Sequence, residues 1–290
     1  MRRAGLPMLA FVLLASGCST AAPEASTAAP PGVSVSMYQT RTDVAPRRLE
    51  LAIQNGTDDP LRITGARLLS SQFAAAAEWQ KASTTIPPGA TVDLPVQLPD
   101  PDCTIDDPVH TVEFDYESDD GMSGTARVIA DDRLDRMPAL RLEDCLQQSV
   151  TAVVELTISD PPRRVQLLGH PVIEVDLRAV PTGGEGSVIL DQLASTTLLT
   201  PIDPATGLPA PTAALGVTIA AGDAPSVVTL LLAPGRCDPH AIAEDKRGTI
   251  MPIDVRVGQA TGRLSVPSSD AVRGALYALV TELCATTPGG

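Results

Sequence analysis

Lysine is almost missing from this chain. Lys81 and Lys246 are its only two, and its 21 basic side chains face 35 acidic ones for a formal charge of −14. Nucleic acids and anionic membrane surfaces are bound through clustered Lys or Arg. Here the arginines are scattered, with Arg47-Arg48 and Arg163-Arg164 the only adjacent pairs after Arg2-Arg3, so a nucleic-acid partner is not expected. Histidine is equally scarce, at His110, His170 and His240, which leaves few groups that titrate near neutral pH. Aromatic residues make up 2% of the chain, few with which to line a small-molecule pocket. No G-x-S-x-G, S-x-x-K, H-E-x-x-H, P-loop or dinucleotide fingerprint occurs. No catalytic residue and no cofactor is expected.

Metal ligands are also thinly supplied. No two cysteines stand in a C-x-x-C spacing, and Cys237-Asp238-Pro239-His240 has no second pair to complete a tetrahedral site. Asp115 to Gly121 is rich in acids, but the sixth position of a calcium loop falls on Asp120 and the twelfth on Ala126. That segment reads as a hairpin turn, and no metal is expected.

What is present begins with a leader. Arg2-Arg3 precede the apolar run from Leu6 to Gly17, which is far shorter than the roughly 20 residues a membrane-spanning helix needs. A basic start, a short apolar segment and small residues before a cut are the parts of a secretory signal. Leu13-Leu14-Ala15-Ser16-Gly17-Cys18 resembles a bacterial lipobox, with Ala15 where leucine is usual. The resemblance implies cleavage of residues 1–17 and lipidation of Cys18. It also implies an extracytoplasmic protein anchored to the cell membrane by lipid. Residues 18–32 then form the lipidated cysteine and a flexible tether without large apolar side chains, reaching on the order of 20 Å on average.

Setting Cys18 aside leaves four cysteines, Cys103, Cys145, Cys237 and Cys284. An exported chain in an oxidising compartment pairs them, and four allow three connectivities. An internal repeat chooses among these. Ile86-Pro87-Pro88-Gly89 leads into Val92 to Leu98 and Cys103, and Ile219-Ala220-Ala221-Gly222 leads into Val227 to Leu232 and Cys237. The later cysteines follow in Glu143-Asp144-Cys145 and Glu282-Leu283-Cys284. If a domain was duplicated with its disulfide, Cys103 pairs with Cys145 and Cys237 with Cys284. Loops of that length are each worth about 4 kcal/mol by chain-entropy reasoning.

Short runs of Val, Ile, Leu and Thr broken by Pro, Gly and Asp carry strand signals. Val33 to Met37, Leu49 to Ile53 and Val112 to Tyr116 alternate with period two, as a sheet with one dry face requires. After Ser268-Ser269-Asp270, the spacing of Val272, Leu276, Leu279, Val280 and Leu283 predicts a terminal helix. The fold expected is mainly β: two tandem antiparallel β-sandwich domains of immunoglobulin-like type, at 33–148 and 149–290, with a C-terminal helix in the second. With Gly235-Arg236-Cys237-Asp238-Pro239-His240 and Glu244-Asp245-Lys246-Arg247-Gly248-Thr249 as its most distinctive segments, the chain resembles the two-domain lipoproteins of actinobacteria. That resemblance implies export and repeated β-domains and names no activity.

Arg236, Asp238, His240, Glu244, Asp245, Lys246 and Arg247 gather in one segment beside Cys237. They form the candidate binding loop. Two roles fit these charges: bracing the loop beside its disulfide, or presenting hydrogen-bonding groups to a partner. The function expected is that of a noncatalytic surface lipoprotein binding a membrane protein or another envelope component. An extracytoplasmic solute-binding accessory protein is the alternative.

Overall fold

The computed structural model describes residues 28–119, 121–245 and 247–286. The expected leader at 1–17, the lipidation site Cys18, most of the tether and Lys246 lie outside them. In the first half the strands are β1 (Val33–Tyr38), β2 (Arg48–Asn55), β3 (Leu61–Ser70), β4 (Ala77–Glu78), β5 (Thr84–Ile86), β6 (Thr91–Gln97), β7 (His110–Ser118), β8 (Ser123–Ile129) and β9 (Asp131–Asp132). They form two sheets, β6-β2-β1-β9 and β4-β3-β7-β8, with β5 also on β3. Alternation sends Val35, Met37, Leu49, Leu51 and Ile53 inward from one sheet, and Leu61, Ile63, Leu68, Val112 and Phe114 from the other. Each large side chain so buried contributes about 1.5–3 kcal/mol.

The turn after β2 depends on close backbone approach. Gly56 N–H donates to the Gly32 carbonyl at 2.9 Å, and a Cβ on Gly56 would lie 2.5 Å from that oxygen. Asn55, fully buried, donates through Nδ2 to the carbonyls of Asp59 and Ile86 at 2.8 and 2.9 Å. Its Oδ1 accepts from Thr57 N–H at 3.0 Å, so no buried polar group there is left unpaired.

A long helix that the sequence reading did not anticipate closes this half. α1 (Arg136–Thr151) is capped from a distance: the Asp132 carboxylate accepts from Arg136 N–H at 2.9 Å and Met137 N–H at 2.8 Å. Asp135, at the usual capping position, is left-handed and makes no side-chain cap. The helix runs across residues 148 and 149. Met137 and Leu140 belong to the first core, whereas Leu146 and Val150 belong to the second. Between them the buried Asp144 receives both ends of the Arg47 guanidinium, one of them at 3.1 Å.

The second half follows with β10 (Val154–Thr157), β11 (Arg163–Leu167), β12 (His170–Pro181), β13 (Ser187–Ala194), β14 (Leu199–Pro201), β15 (Thr212–Ala220), β16 (Ser226–Pro234), α2 (Pro239–Ala243), β17 (Ile250–Val257), β18 (Ala260–Pro267) and α3 (Asp270–Thr286). Its sheets are β10-β12-β16-β14, with β11 on β12, and β15-β13-β17-β18. The pairing scheme of the first half recurs. β2 lies between β1 and β6 as β12 lies between β10 and β16, and β3 pairs with β5 and β7 as β13 pairs with β15 and β17. Even the parallel contact of Ser36 with Asp131 has a counterpart, Ile158 with Ser268. The protein is thus mainly β, with two β-sandwiches and a C-terminal helix.

That last helix begins where the spacing placed it. Ser269 caps it, accepting from Val272 N–H at 3.3 Å, while Asp270 sits in the first turn and pairs with Arg273 at 3.0 Å. Val272, Leu276, Val280 and Leu283 pack into the second core. Disulfides join Cys103 to Cys145 and Cys237 to Cys284. Each ties the loop leaving the β6 or β16 strand to the helix that ends its own half.

Candidate functional site

The segment from Arg236 to Ile250 leaves β16, is fixed to α3 by the Cys237–Cys284 bond, and returns as β17. Its first turn forms α2 because Pro239 suits the first helical position and Asp238 Oδ1 accepts from His240 N–H at 3.0 Å. Asp245 then does the bracing. Its carboxylate accepts from Tyr277 Oη at 2.9 Å, Thr197 Oγ1 at 2.8 Å and Gly248 N–H at 2.8 Å. Burial, together with the Asp245 carboxylate it donates to, pushes the Tyr277 phenol up to about 12. A Cβ on Gly248 would sit 2.4 Å from Leu198 Cβ and 2.6 Å from an Asp245 oxygen, so the turn needs glycine for lack of room.

The expected loop residues therefore separate by role. Asp238 and Asp245 hold the segment's shape, whereas Arg236, His240, Glu244 and Arg247 are exposed. The His240 side chain is 92% exposed and lies 3.7 Å from Asp238 Oδ1. Lys246 lies outside the described residues. No three of His, Cys, Asp and Glu gather as a metal site among the described residues.

Facing this segment across a groove is the β1–β2 loop of the first sandwich. Two adjoining hollows, of about 600 and 750 Å³, share Arg41, Arg247, Ile250 and Ser265. The larger adds Arg236, Glu244 and Thr197, and the smaller adds Arg47, Arg136 and Arg263. Sequence reading found the loop but not the groove, since no local pattern brings residue 41 to residue 247.

Of the other histidines, His170 opens β12 after a Leu168-Gly169 turn and is exposed. His110 pairs across the sheet with Ser70, whose Oγ is 2.8 Å from its Nδ1. Burial lowers the His110 pKa against the pull of Asp132. Asp132, which would have to orient such a histidine, has both oxygens engaged in capping α1.

No family model and no curated protein matches the chain. Solved structures offer distant likenesses. Red sea bream transglutaminase is 11% identical over 83% of this chain and 32% of its own, with a TM-score of 0.25; the present chain thus spans about a third of that protein's length. A chaperone–tip adhesion subunit pre-assembly complex of archaic Csu pili from Acinetobacter baumannii is 9% identical, with coverage of 77% and 93% and a TM-score of 0.20. Neither likeness carries an argument about this chain.

Proposed function

We propose that this chain is an extracytoplasmic lipoprotein, held to the cell membrane through Cys18, whose paired sandwiches bind a membrane protein or another envelope component without catalysing a reaction. The observation that carries the reading is the braced segment from Arg236 to Arg247. A disulfide, a helix cap and the Asp245 network fix its backbone while Arg236, His240, Glu244 and Arg247 face solvent. A surface fixed before its partner arrives loses less conformational freedom on binding. The paired cysteines suit an oxidising compartment, and the segment ending at Cys18 suits lipidation.

Two experiments test this. Fatty-acid labelling should mark the wild type and not Cys18→Ala, and equal label in both would remove the anchor. A photoreactive residue in place of His240, used on intact cells, should capture an envelope component that the same residue at Val227 on β16 does not. Capture from both positions, or from neither, would count against a binding role for the loop. The solute-binding alternative draws support from the groove, whose larger hollow of about 750 Å³ has the size of a small-molecule site.

A further inference from the structure

Most of the described arginines in this acidic protein are paired with an acid. Among the described residues twelve arginines lie in ion pairs, for example Arg67 with Glu113, Arg163 with Glu174 and Arg256 with Asp191. Arg133 stands 5.2 Å over the Tyr38 ring, and Arg141 donates to the Asp102 carbonyl at 3.4 Å. Among the described arginines this leaves Arg41, Arg236 and Arg247 as those whose guanidiniums have no ion pair, ring contact or hydrogen bond, and all three line the same hollow between the sandwiches.

We infer that this groove is a binding site for a phosphate group. Three free guanidiniums exceed what one carboxylate, with two oxygens and a single charge, can engage. A phosphate offers three acceptor oxygens and a charge near −2, and guanidinium forks match its geometry. Ser265 adds a hydroxyl to the same wall, whereas the Thr197 hydroxyl is already donated to Asp245. Two acids also line it. Asp245 is turned toward Tyr277, Thr197 and Gly248 N–H, which leaves Glu244, in no ion pair among the described residues, as the opposing charge on the described lining. Arg47 and Arg136 in the adjoining hollow are already matched by Asp144 and Glu143. The inference rests on the binding reading above only in placing the groove outside the membrane.

The purified full chain is titrated with pyrophosphate by calorimetry at low, constant ionic strength, with chloride as the matched control. Saturable binding that weakens as salt is added is expected. Arg41→Gln, Arg236→Gln and Arg247→Gln should each weaken it by about tenfold, the loss of one charge-assisted hydrogen bond. Glu244→Gln should tighten it by about twofold as a like charge is removed. Arg178→Gln, whose guanidinium is 3.8 Å from Asp160 and not in the groove, should leave it unchanged. Unaltered thermal unfolding shows that each variant is folded. Sedimentation with vesicles containing phosphatidic acid, whose headgroup is a phosphomonoester, separates the sources: co-sedimentation lost in the triple arginine variant assigns a lipid headgroup, and pyrophosphate binding alone assigns a soluble phosphate. Binding to neither, or an equal effect of Arg178→Gln, would overturn the inference. If phosphate binding fails while crosslinking from position 240 persists, this inference alone falls. If phosphate binds and crosslinking captures nothing, the earlier reading alone falls.

Discussion

Arg47 and Asp144 hold α1 against the β1–β2 loop, and the two ends of this contact are unequal. The Asp144 side chain is 5% exposed and that of Arg47 38%. Arg47→Ala leaves a buried carboxylate without its counter-ion. Asp144→Ala leaves a guanidinium that reaches water and keeps its bond to the Pro99 carbonyl at 3.3 Å. Removing one partner of a buried pair costs about 3–5 kcal/mol when the survivor stays buried. A charge-assisted hydrogen bond whose survivor can be hydrated is worth about 1.5–3 kcal/mol. Arg47→Ala should therefore be the more destabilising change, by roughly 1–2 kcal/mol.

Urea unfolding measures this with two probes. Trp79 is the only tryptophan and is buried in the first core, so its fluorescence reports the first sandwich, whereas far-ultraviolet circular dichroism reports both. Because α1 gives Met137 and Leu140 to one core and Leu146 and Val150 to the other, both transitions should move in each variant. Asp144→Ala costing as much as Arg47→Ala would refute the argument from burial. A fluorescence midpoint that stays in place would refute the claim that the contact supports the first core.

Three further outcomes are expected. Asn55→Leu should destabilise the first sandwich by about 2–4 kcal/mol, because the buried Ile86 carbonyl loses its donor and Thr57 N–H its acceptor; a Trp79 midpoint unchanged in urea would contradict this. Tyr277 has its pKa raised to about 12, so its contribution is fully present below the unfolded value near 10 and is lost as pH climbs through 12. In a spectrophotometric titration at alkaline pH, Tyr277→Phe should remove tyrosinate absorbance gained near pH 12 and none gained near 10. Replacing Cys237 and Cys284 together by serine should cost up to about 4 kcal/mol and speed amide exchange across residues 238–245; unchanged exchange would show that Asp245 alone fixes the segment.

The strands and the α1 helix differ in how they are written in the sequence. β1 and β7 each bury one face, so alternation marks them directly; β2 also buries Ala52 on its other face, yet Leu49, Leu51 and Ile53 still alternate with smaller or polar residues. α1 carries its apolar stripe as Met137, Leu140, Leu146 and Val150, interrupted by a buried acid whose partner is 97 residues away. Its cap is equally nonlocal, since Asp132 reaches forward past a left-handed Asp135. One signal was available. The repeat sets Glu143-Asp144-Cys145 beside Glu282-Leu283-Cys284, so the helix read in the second copy had a counterpart in the first, with Asp144 standing where Leu283 packs. In the candidate loop the position and the staple were legible. That Asp245 would brace and His240 face solvent was not, because that choice depends on Tyr277 and Thr197, each more than 30 residues distant.

Charge behaves in the same way. Ion pairs such as Arg263 with Asp254, and Arg67 with Glu113, arise because antiparallel register sets the two residues opposite each other. Arg41, Arg236 and Arg247 stand on connections, where no register supplies an acid. A formal charge of −14 argues against a broad anionic partner, because the long-range field repels it. It says little about a groove, since at physiological salt charges more than about 8 Å away are largely screened. What a bound group would feel is set by the side chains within that radius. Along the described lining of the hollow the free cations outnumber the free acid, which is why a chain reading as acidic from end to end still offers a place for one phosphate.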